Sequence, residues 1–392
     1  MTFDRIWRLI ARESRLFASS RILIGVVILM PLFYTVLLGY IYDEARVTRI
    51  PAWISDHDQS SLSRSLIEAY KRHELIKIVK TGGTLEEFKR ESQKGNVFAY
   101  IIIPKDFEKN LKKNKQERIL TFVEGSNLLI TNMFAKAAAE IAGTYSAGAE
   151  IKRLNAGGTP AKFTQVQANP IMSTVRILNN PTTNYKNFLM PGLIGAVIQQ
   201  VTLLGVALAF SREREEKKFK DVLGISSSPI EVLLSKTFFY GAMNFLMGGI
   251  ALFIMFTVFH IKFAGSLWLL LLLLFVFISC LVALGVAVSV VCDTQLAATQ
   301  ALMMVAVPSF MISGYTWPQF SMNSLLQLIS NLMPLTHFVL PIRDIALMSA
   351  GYEAIRPHLI WMWSLVIISY AVAYPLTARE MKKIAEQQEI TG

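Results

Sequence analysis

Residues 265–290, GSLWLLLLLLFVFISCLVALGVAVSV, hold no charged side chain, and they decide which solvent this chain folds in. A helix rises about 1.5 Å per residue, so a hydrocarbon layer of about 30 Å needs about 20 apolar residues. This stretch exceeds that length, and soluble cores rarely supply even one such segment. Outward from it the pattern repeats: Asp, Glu, Lys and Arg are also absent from 22–42, 187–211, 237–261, 294–342 and 359–378. The chain is 53% hydrophobic and only 17% charged, with a mean hydropathy of +0.43, a balance that makes lipid part of its solvent. By contrast, 43–187 has the charge density of an ordinary soluble domain.

The reading is a polytopic α-helical membrane protein with six transmembrane helices and an inserted extracytoplasmic α/β domain. The first span is 21–42, the insert is 43–187, and the remaining spans near 188–210, 237–258, 265–290, 296–317 and 359–378 lie in 188–378. Residues 1–20 set Arg5, Arg8, Arg12 and Arg15 against Phe3, Ile6, Trp7, Ile10 and Phe17. That spacing predicts an amphipathic helix in the cytoplasmic interface, greasy on one stripe and basic on the other face. A signal peptide is the alternative, but 22–42 is longer than a signal peptide's apolar region and no small-x-small cleavage site follows.

Flanking charge sets the orientation. The N-terminus, the 211–236 loop (Arg212, Arg214, Lys217, Lys218, Lys220, Lys236) and the tail at 379–392 (Arg379, Lys382, Lys383) are basic, whereas 259–264 has only Lys262. The Lys/Arg bias predicts that both termini are cytoplasmic and that the insert crosses the membrane. Asp293 falls in the predicted turn between the fourth and fifth spans. Segment 294–342 is too long for one span and is interrupted by Pro308, Gly314 and Pro318, with Pro334, His337, Pro341, Arg343 and Asp344 beyond. Short amphipathic or re-entrant helices over 318–358 fit it, because irregular backbone at membrane depth needs a protein cover or a cavity.

Within the insert, 52–55, 76–79, 97–103 and 119–123 read as strands, the third so apolar that it should be central. Leu62, Leu66 and Tyr70 share a helical face, and Thr84 with Glu87 makes a capping box. A long helix runs from Asn127 to about 154 and is ended by Gly157-Gly158-Thr159-Pro160. Asp56-His57-Asp58 resembles an acid–base or metal cluster. Three consecutive residues do not converge, however, and before Ser60 and Ser61 they read as a turn serving a helix N-terminus. Gly82-Gly83 lacks the Lys-Ser/Thr of a phosphate loop, and His73 has no spaced partner. Cys280 and Cys292 lie in or at the end of an apolar segment, so the insert has no disulfide.

No metal site, nucleotide-binding motif or catalytic constellation is found, so the chain reads as non-catalytic and free of bound cofactors. The net charge of +11 sits largely beside apolar segments, where anionic membrane lipids explain it without nucleic acid. The proposed spans lack the ionisable residues by which ion-coupled transporters show themselves. Energy for uphill transport would then come from another polypeptide. The place to receive it is 211–236, SREREEKKFKDVLGISSSPIEVLLSK, which is too charged for lipid. Phe219, Val222 and Leu223 give it an apolar edge, Gly224 stops one short helix, and Ser228-Pro229 starts the next. A plain positive-inside anchor is the competing reading of this loop.

The order of these features resembles the membrane subunit of type-2 ABC exporters, the bacterial ABC-2 type transport permease family, in its branch with a large extracytoplasmic domain after the first transmembrane helix. The strings that carry the resemblance are ISDHDQSSLSRSL (54–66), GNVFAYIIIPKDFEKNL (95–111), FVEGSNLLITN (122–132), REREEKKFKDVLGISSSPIEVLLSK (212–236), and SGYTWPQF with NLMPLTHFVLPIRDI inside 313–345. The resemblance implies a multi-pass permease of the bacterial inner membrane that moves drugs or other amphiphilic molecules outward. It would work as a homodimer or with a closely related second permease, alongside a cytoplasmic ABC ATPase that holds ATP and Mg. In many members a periplasmic adaptor and an outer-membrane channel take part.

The resemblance also implies coupling to the ATPase through Glu213, Glu215, Glu216, Phe219 and Leu223, and an outer gate at Gly314, Trp317, Pro318, Pro334 and Pro341. One departure is that the coupling loop is basic as well as acidic. Two other classes share the body plan: an envelope adhesion or phage-receptor protein without an ATPase, and an ion-coupled secondary transporter.

Overall fold

The computed structural model describes residues 3–43, 48–113, 115–156, 179–180, 184–215, 219–292 and 294–391. The expectations for Gly157 to Pro160, Glu216 and Asp293 fall outside the described residues. The chain divides into two compact units, Met1–Ala45 with Ile177–Gly392, and Arg46–Arg176.

The first unit opens with α1 (Phe3–Ser19) and, after Ser20, α2 (Arg21–Ile41). Ser20 starts α2 by accepting from Leu23 N at 3.3 Å. A π turn occupies Gly25–Leu29, just ahead of Pro31, whose missing N–H and bulky ring cannot continue a regular α ladder.

The second unit runs β1 (Ile50–Asp56), α3 (Ser61–Arg72), β2 (Ile76–Thr81), α4 (Leu85–Gln93), β3 (Ala99–Ile103), α5 (Phe107–Lys112), β4 (Leu120–Val123) and α6 (Leu128–Ala156). The sheet order is β2-β1-β3-β4, with β1 parallel to both neighbours and β4 antiparallel to β3. The uniformly apolar strand is interior, as its composition requires. One core gathers Ile54, Leu66, Tyr70, Ile101 and Phe134. A second joins Trp53, Phe88, Val97 and Tyr100, so both faces of β1 and β3 are covered. Thr84 accepts from Glu87 N at 3.2 Å, the expected cap. Asp56 accepts from Asp58 N and Gln59 N, each at 3.0 Å, and from Ser63 Oγ at 2.7 Å. Asp58 accepts from Glu108 N at 3.1 Å. The acidic pair thus holds two helix starts together.

The first unit resumes with α7 (Tyr185–Glu215), α8 (Phe219–Leu223), α9 (Pro229–Thr257), α10 (Leu267–Val291) and α11 (Gln295–Ile312). A 3-10 turn (Gln319–Ser321), α12 (Ser324–Leu332), α13 (Thr336–Met348) and α14 (Tyr352–Thr391) complete it. Among the described residues, six segments are long and apolar enough to cross a membrane: α2, Tyr185–Ala209 of α7, α9, α10, α11 and Tyr352–Lys383 of α14; α12 with α13 would make a seventh if that bent pair is one span. The short helices α12 and α13 meet at 82°, in the region expected to be re-entrant.

Polar side chains pin the apolar packing. Gln199 Nε2 donates to Ser309 Oγ at 2.7 Å and to Ala306 O at 3.3 Å, and Thr202 Oγ1 donates to Asn244 Oδ1 at 3.2 Å. Within a bilayer such bonds hold helices together where apolar burial cannot.

Two boundaries differ from the sequence reading. Helix α9 begins at Pro229, as Ser228-Pro229 signalled, but runs on without a break into the span expected from about 237, so it carries Glu231 and Lys236, both buried. A hydropathy reading stops at charges, but the helical backbone continues wherever those charges find partners. Helix α11 ends at Ile312 rather than near 317, because Gly314 takes a left-handed φ of +82° that no helix accommodates.

Candidate functional site

Six alternating spans put two sets of connections at the two ends of the bundle. At one end lie the start of α2, the 210–229 connection, the turn from α10 to α11, and the end of α14. Here the 211–236 segment resolves into the last residues of α7, the short helix α8, and the first turns of α9. Leu9 of α1, Val222 of α8, Val232 of α9 and Met381 of α14 are buried against one another, with Leu223 and Ile225 packed alongside. Four separate elements thus share one small apolar cluster. Ser226 Oγ donates to Glu231 Oε2 at 2.6 Å and accepts from Ser228 N at 3.1 Å, fixing the turn into α9.

Helix α1 packs against the bundle along one stripe. Leu9, Arg12, Glu13 and Phe17 face the bundle, whereas Phe3 and Trp7 stay 83% and 60% exposed. Lys236 Nζ donates to Glu13 Oε1 at 2.7 Å. Arg12 Nη1 lies 3.3 Å from the same oxygen, and Tyr240 OH donates to Glu13 Oε2 at 3.5 Å. Arg12, expected on an exposed basic face, is therefore part of the buried contact.

The residues expected to meet an ATPase fare unevenly. Leu223 is half-buried beside the apolar cluster. Glu215 is exposed and accepts from Gln295 Nε2 at 2.7 Å and from Gln295 N at 3.4 Å, which ties the end of α7 to the start of α11. Glu213 and Phe219 are described through their helical backbone only.

At the opposite end, Gly314 makes the left-handed turn out of α11, and a Cβ there would come within 2.5 Å of Gln319 Cγ. Pro318 precedes the 3-10 turn, and Trp317 is exposed. Pro334 O accepts from His337 N at 3.1 Å in the bend between α12 and α13, while Pro341 is buried within α13. These five residues shape backbone; the polar contacts come from others. Gln319 Nε2 donates to Ser330 Oγ at 2.7 Å, and Ser330 meets Thr336 Oγ1 at 3.3 Å. His337 Nε2 reaches Asn331 O at 2.8 Å, and its Nδ1 lies 2.9 Å from His358 Nδ1. Trp361 Nε1 donates to the same Asn331 carbonyl. Tyr315 OH donates to Phe188 O, its ring stacks on Phe188 with centroids 5.5 Å apart, and the Arg343 guanidinium lies 5.5 Å from its centroid.

Of these contacts, sequence reasoning singled out His337 and Arg343 but not their partners. A histidine amid apolar residues was the only signal. Among the described residues, no group of three or more His, Cys, Asp or Glu converges in a way that could hold a metal.

The family model for ABC-2 family transporter proteins matches residues 21–374. The chain belongs to this family. It is similar to a probable multidrug ABC transporter permease, YbhR, of Escherichia coli (strain K12), at 23% identity over 97% of this chain and 100% of that one. It is also similar to the inner membrane transport permease YhhJ of the same strain, at 23% identity over 83% of this chain and 85% of the other. ABC transporter G family member 20 of Dictyostelium discoideum matches at 22% identity over 53% of this chain and 28% of its own length. This ABC-2 protein is thus a multi-pass membrane protein and the permease subunit of an ABC exporter, a transport subunit whose family works with an ABC ATPase.

Proposed function

We propose that this permease exports drugs or other amphiphilic molecules across a bacterial inner membrane. Both termini lie in the cytoplasm, and ATP with Mg is hydrolysed on separate ATPase subunits docked at 211–236. The observation that carries this reading is the convergence of α1, α8, the start of α9 and the end of α14 on one apolar cluster at the basic end of the bundle. A push on α8 there reaches two membrane helices directly. Glu213, Glu215, Glu216, Phe219 and Leu223 form the docking segment in this reading. The Glu215 contact with Gln295 would carry part of the motion into α11.

The opposite end, from Gly314 to Pro341, acts as the gate. Its backbone is set by Gly314, Pro318, Pro334 and Pro341, with Trp317 exposed at its rim, and Gln319, Ser330, Thr336, His337 and His358 bond to one another across it. The permease works as a homodimer or with a closely related second permease. Support comes from α11, which leaves Leu296, Met304, Val307 and Met311 exposed. The 46–176 unit faces the periplasm and contacts an adaptor leading to an outer-membrane channel.

The test is reconstitution with its partner ABC ATPase. The intact permease should support ATP-dependent movement of a fluorescent amphiphile such as Hoechst 33342. A Glu215→Ala, Glu216→Ala variant should lose that movement and the substrate stimulation of hydrolysis; unchanged transport and hydrolysis would overturn the docking assignment.

A further inference from the structure

Helix α9 carries a lysine into its apolar run and does not send it to water. Lys236 is 1% exposed, and its partner Glu13, 223 positions earlier, is 2% exposed. Taking both charges out of water is costly, and replacing such a pair by apolar side chains of similar size is commonly neutral or even stabilising. Stability alone is therefore a poor account of the pair, whereas direction is something only the pair supplies. Helix α1 has two faces. Phe3 and Trp7 point away from the bundle, while the stripe containing Leu9, Arg12, Glu13 and Phe17 points in. The Glu13 carboxylate on Lys236 adds a directional bond to the apolar contacts of Leu9 and Phe17 on that stripe.

We propose that Glu13 and Lys236 are a positioning pair that fixes the rotation of α1 on α9, so that displacement of the 219–228 segment moves both helices as one body. This rests on the reading that 211–236 receives the ATPase. The surrounding geometry supports it. Leu9, one turn before Glu13, touches the same cluster as Val222 of α8, and Phe17, one turn after it, packs edge-on against Phe239, with centroids 5.7 Å apart. The pair thus sits between a contact to the docking helix and a contact to the membrane part of α9. Arg12 and Tyr240 face it from α1 and α9.

The experiment uses the permease with its ATPase in proteoliposomes, in a Cys280→Ala, Cys292→Ala background carrying Phe320→Cys. Phe320 lies at the gate end and is 86% exposed. ATP hydrolysis and the labelling rate at position 320 are read without nucleotide and after vanadate trapping. In the background protein, trapping should change the labelling rate. A Glu13→Gln, Lys236→Met double variant removes both charges, leaves a glutamine carbonyl to accept from Arg12, and should hydrolyse ATP while losing the labelling change. Lys236→Arg should keep both properties.

A double variant that retains the labelling change would overturn the proposal. So would one whose hydrolysis, thermal stability and labelling change all fall together, since that marks a merely structural role. If the background protein itself shows no nucleotide-dependent labelling, the ATPase-docking reading fails instead.

Discussion

His337 and His358 face each other Nδ1 to Nδ1 at 2.9 Å, and only one of those two nitrogens can carry a proton. His337 Nε2 donates to the Asn331 carbonyl, so neutral His337 accepts at Nδ1 and the proton sits on His358, an assignment that follows from the partners. The pair thereby joins α13 to α14 beside the bend. His337→Ala leaves a half-buried His358 N–H without its acceptor and removes one donor from Asn331 O. The expected loss is about 1–3 kcal/mol, measured as a lowered unfolding midpoint in detergent; an unchanged midpoint would show that the contact is not formed.

The buried ion pair at the other end makes a prediction about stability, separate from coupling. Lys236→Met alone takes the cation at 2.7 Å from the buried Glu13 carboxylate, which keeps Arg12 at 3.3 Å, and should cost about 1–3 kcal/mol, whereas the Glu13→Gln, Lys236→Met double variant should cost less. Chemical denaturation of the three proteins decides it, and equal losses in the single and double variants would contradict the pairing.

Two glycines should respond to alanine in opposite directions. A Cβ on Gly265 would lie 2.3 Å from the backbone oxygen of Ile345, which cannot step aside as a side chain can. Gly265→Ala should therefore cost about 1–3 kcal/mol through overpacking. At Gly241, inside α9, nothing lies within 4 Å, and alanine should add about 0.5–1 kcal/mol of helix stability. Thermal melts of the two variants should shift in opposite directions.

In the 46–176 unit, the Lys112 ammonium, 2.7 Å from Glu108, is the main cause that holds the Glu108 carboxyl down to about 2, helped by hydroxyl and backbone donors. Its unfolded value is about 4.3. A depressed carboxyl stabilises fully above the unfolded value and loses that contribution as pH falls through the folded one. Lys112→Met should raise the folded value and shrink the contribution, so acid-induced proteolytic sensitivity of this unit should begin at higher pH. An unchanged onset would show that the contact does not hold in solution.

The six spans were legible because each contains a long run without charge, a property that needs no knowledge of neighbours. The α/β unit was legible for a similar local reason: the Thr84–Glu87 cap and the alternation of strand and helix patterns lie within a few residues of one another. What escaped was pairing over distance. Nothing near Lys236 announces Glu13, and a helix with Phe3, Trp7, Ile10 and Phe17 in its sequence gives no sign that a glutamate will turn inward. Pro318, Pro334, Pro341 and Gly314 could be read as breaks. The hydrogen bonds around the bend could not, because Gln319, Ser330, Asn331 and Trp361 are ordinary residues until the bend brings them together.

Helix α14 is unbroken for 40 residues, a rod about 60 Å long at about 1.5 Å per residue, roughly twice the thickness of a bilayer's hydrocarbon core. It carries His358 near its beginning and Met381 toward its other end, so the histidine contact and the apolar cluster beside α8 are attached to a single mechanical shaft. Neither attachment can tilt without levering the other unless the rod flexes. Pro375 is the natural place for that, since proline removes a rung of the helix ladder. The stiffness of one side chain's surroundings thus sets how much of any stroke delivered at one membrane face arrives at the other.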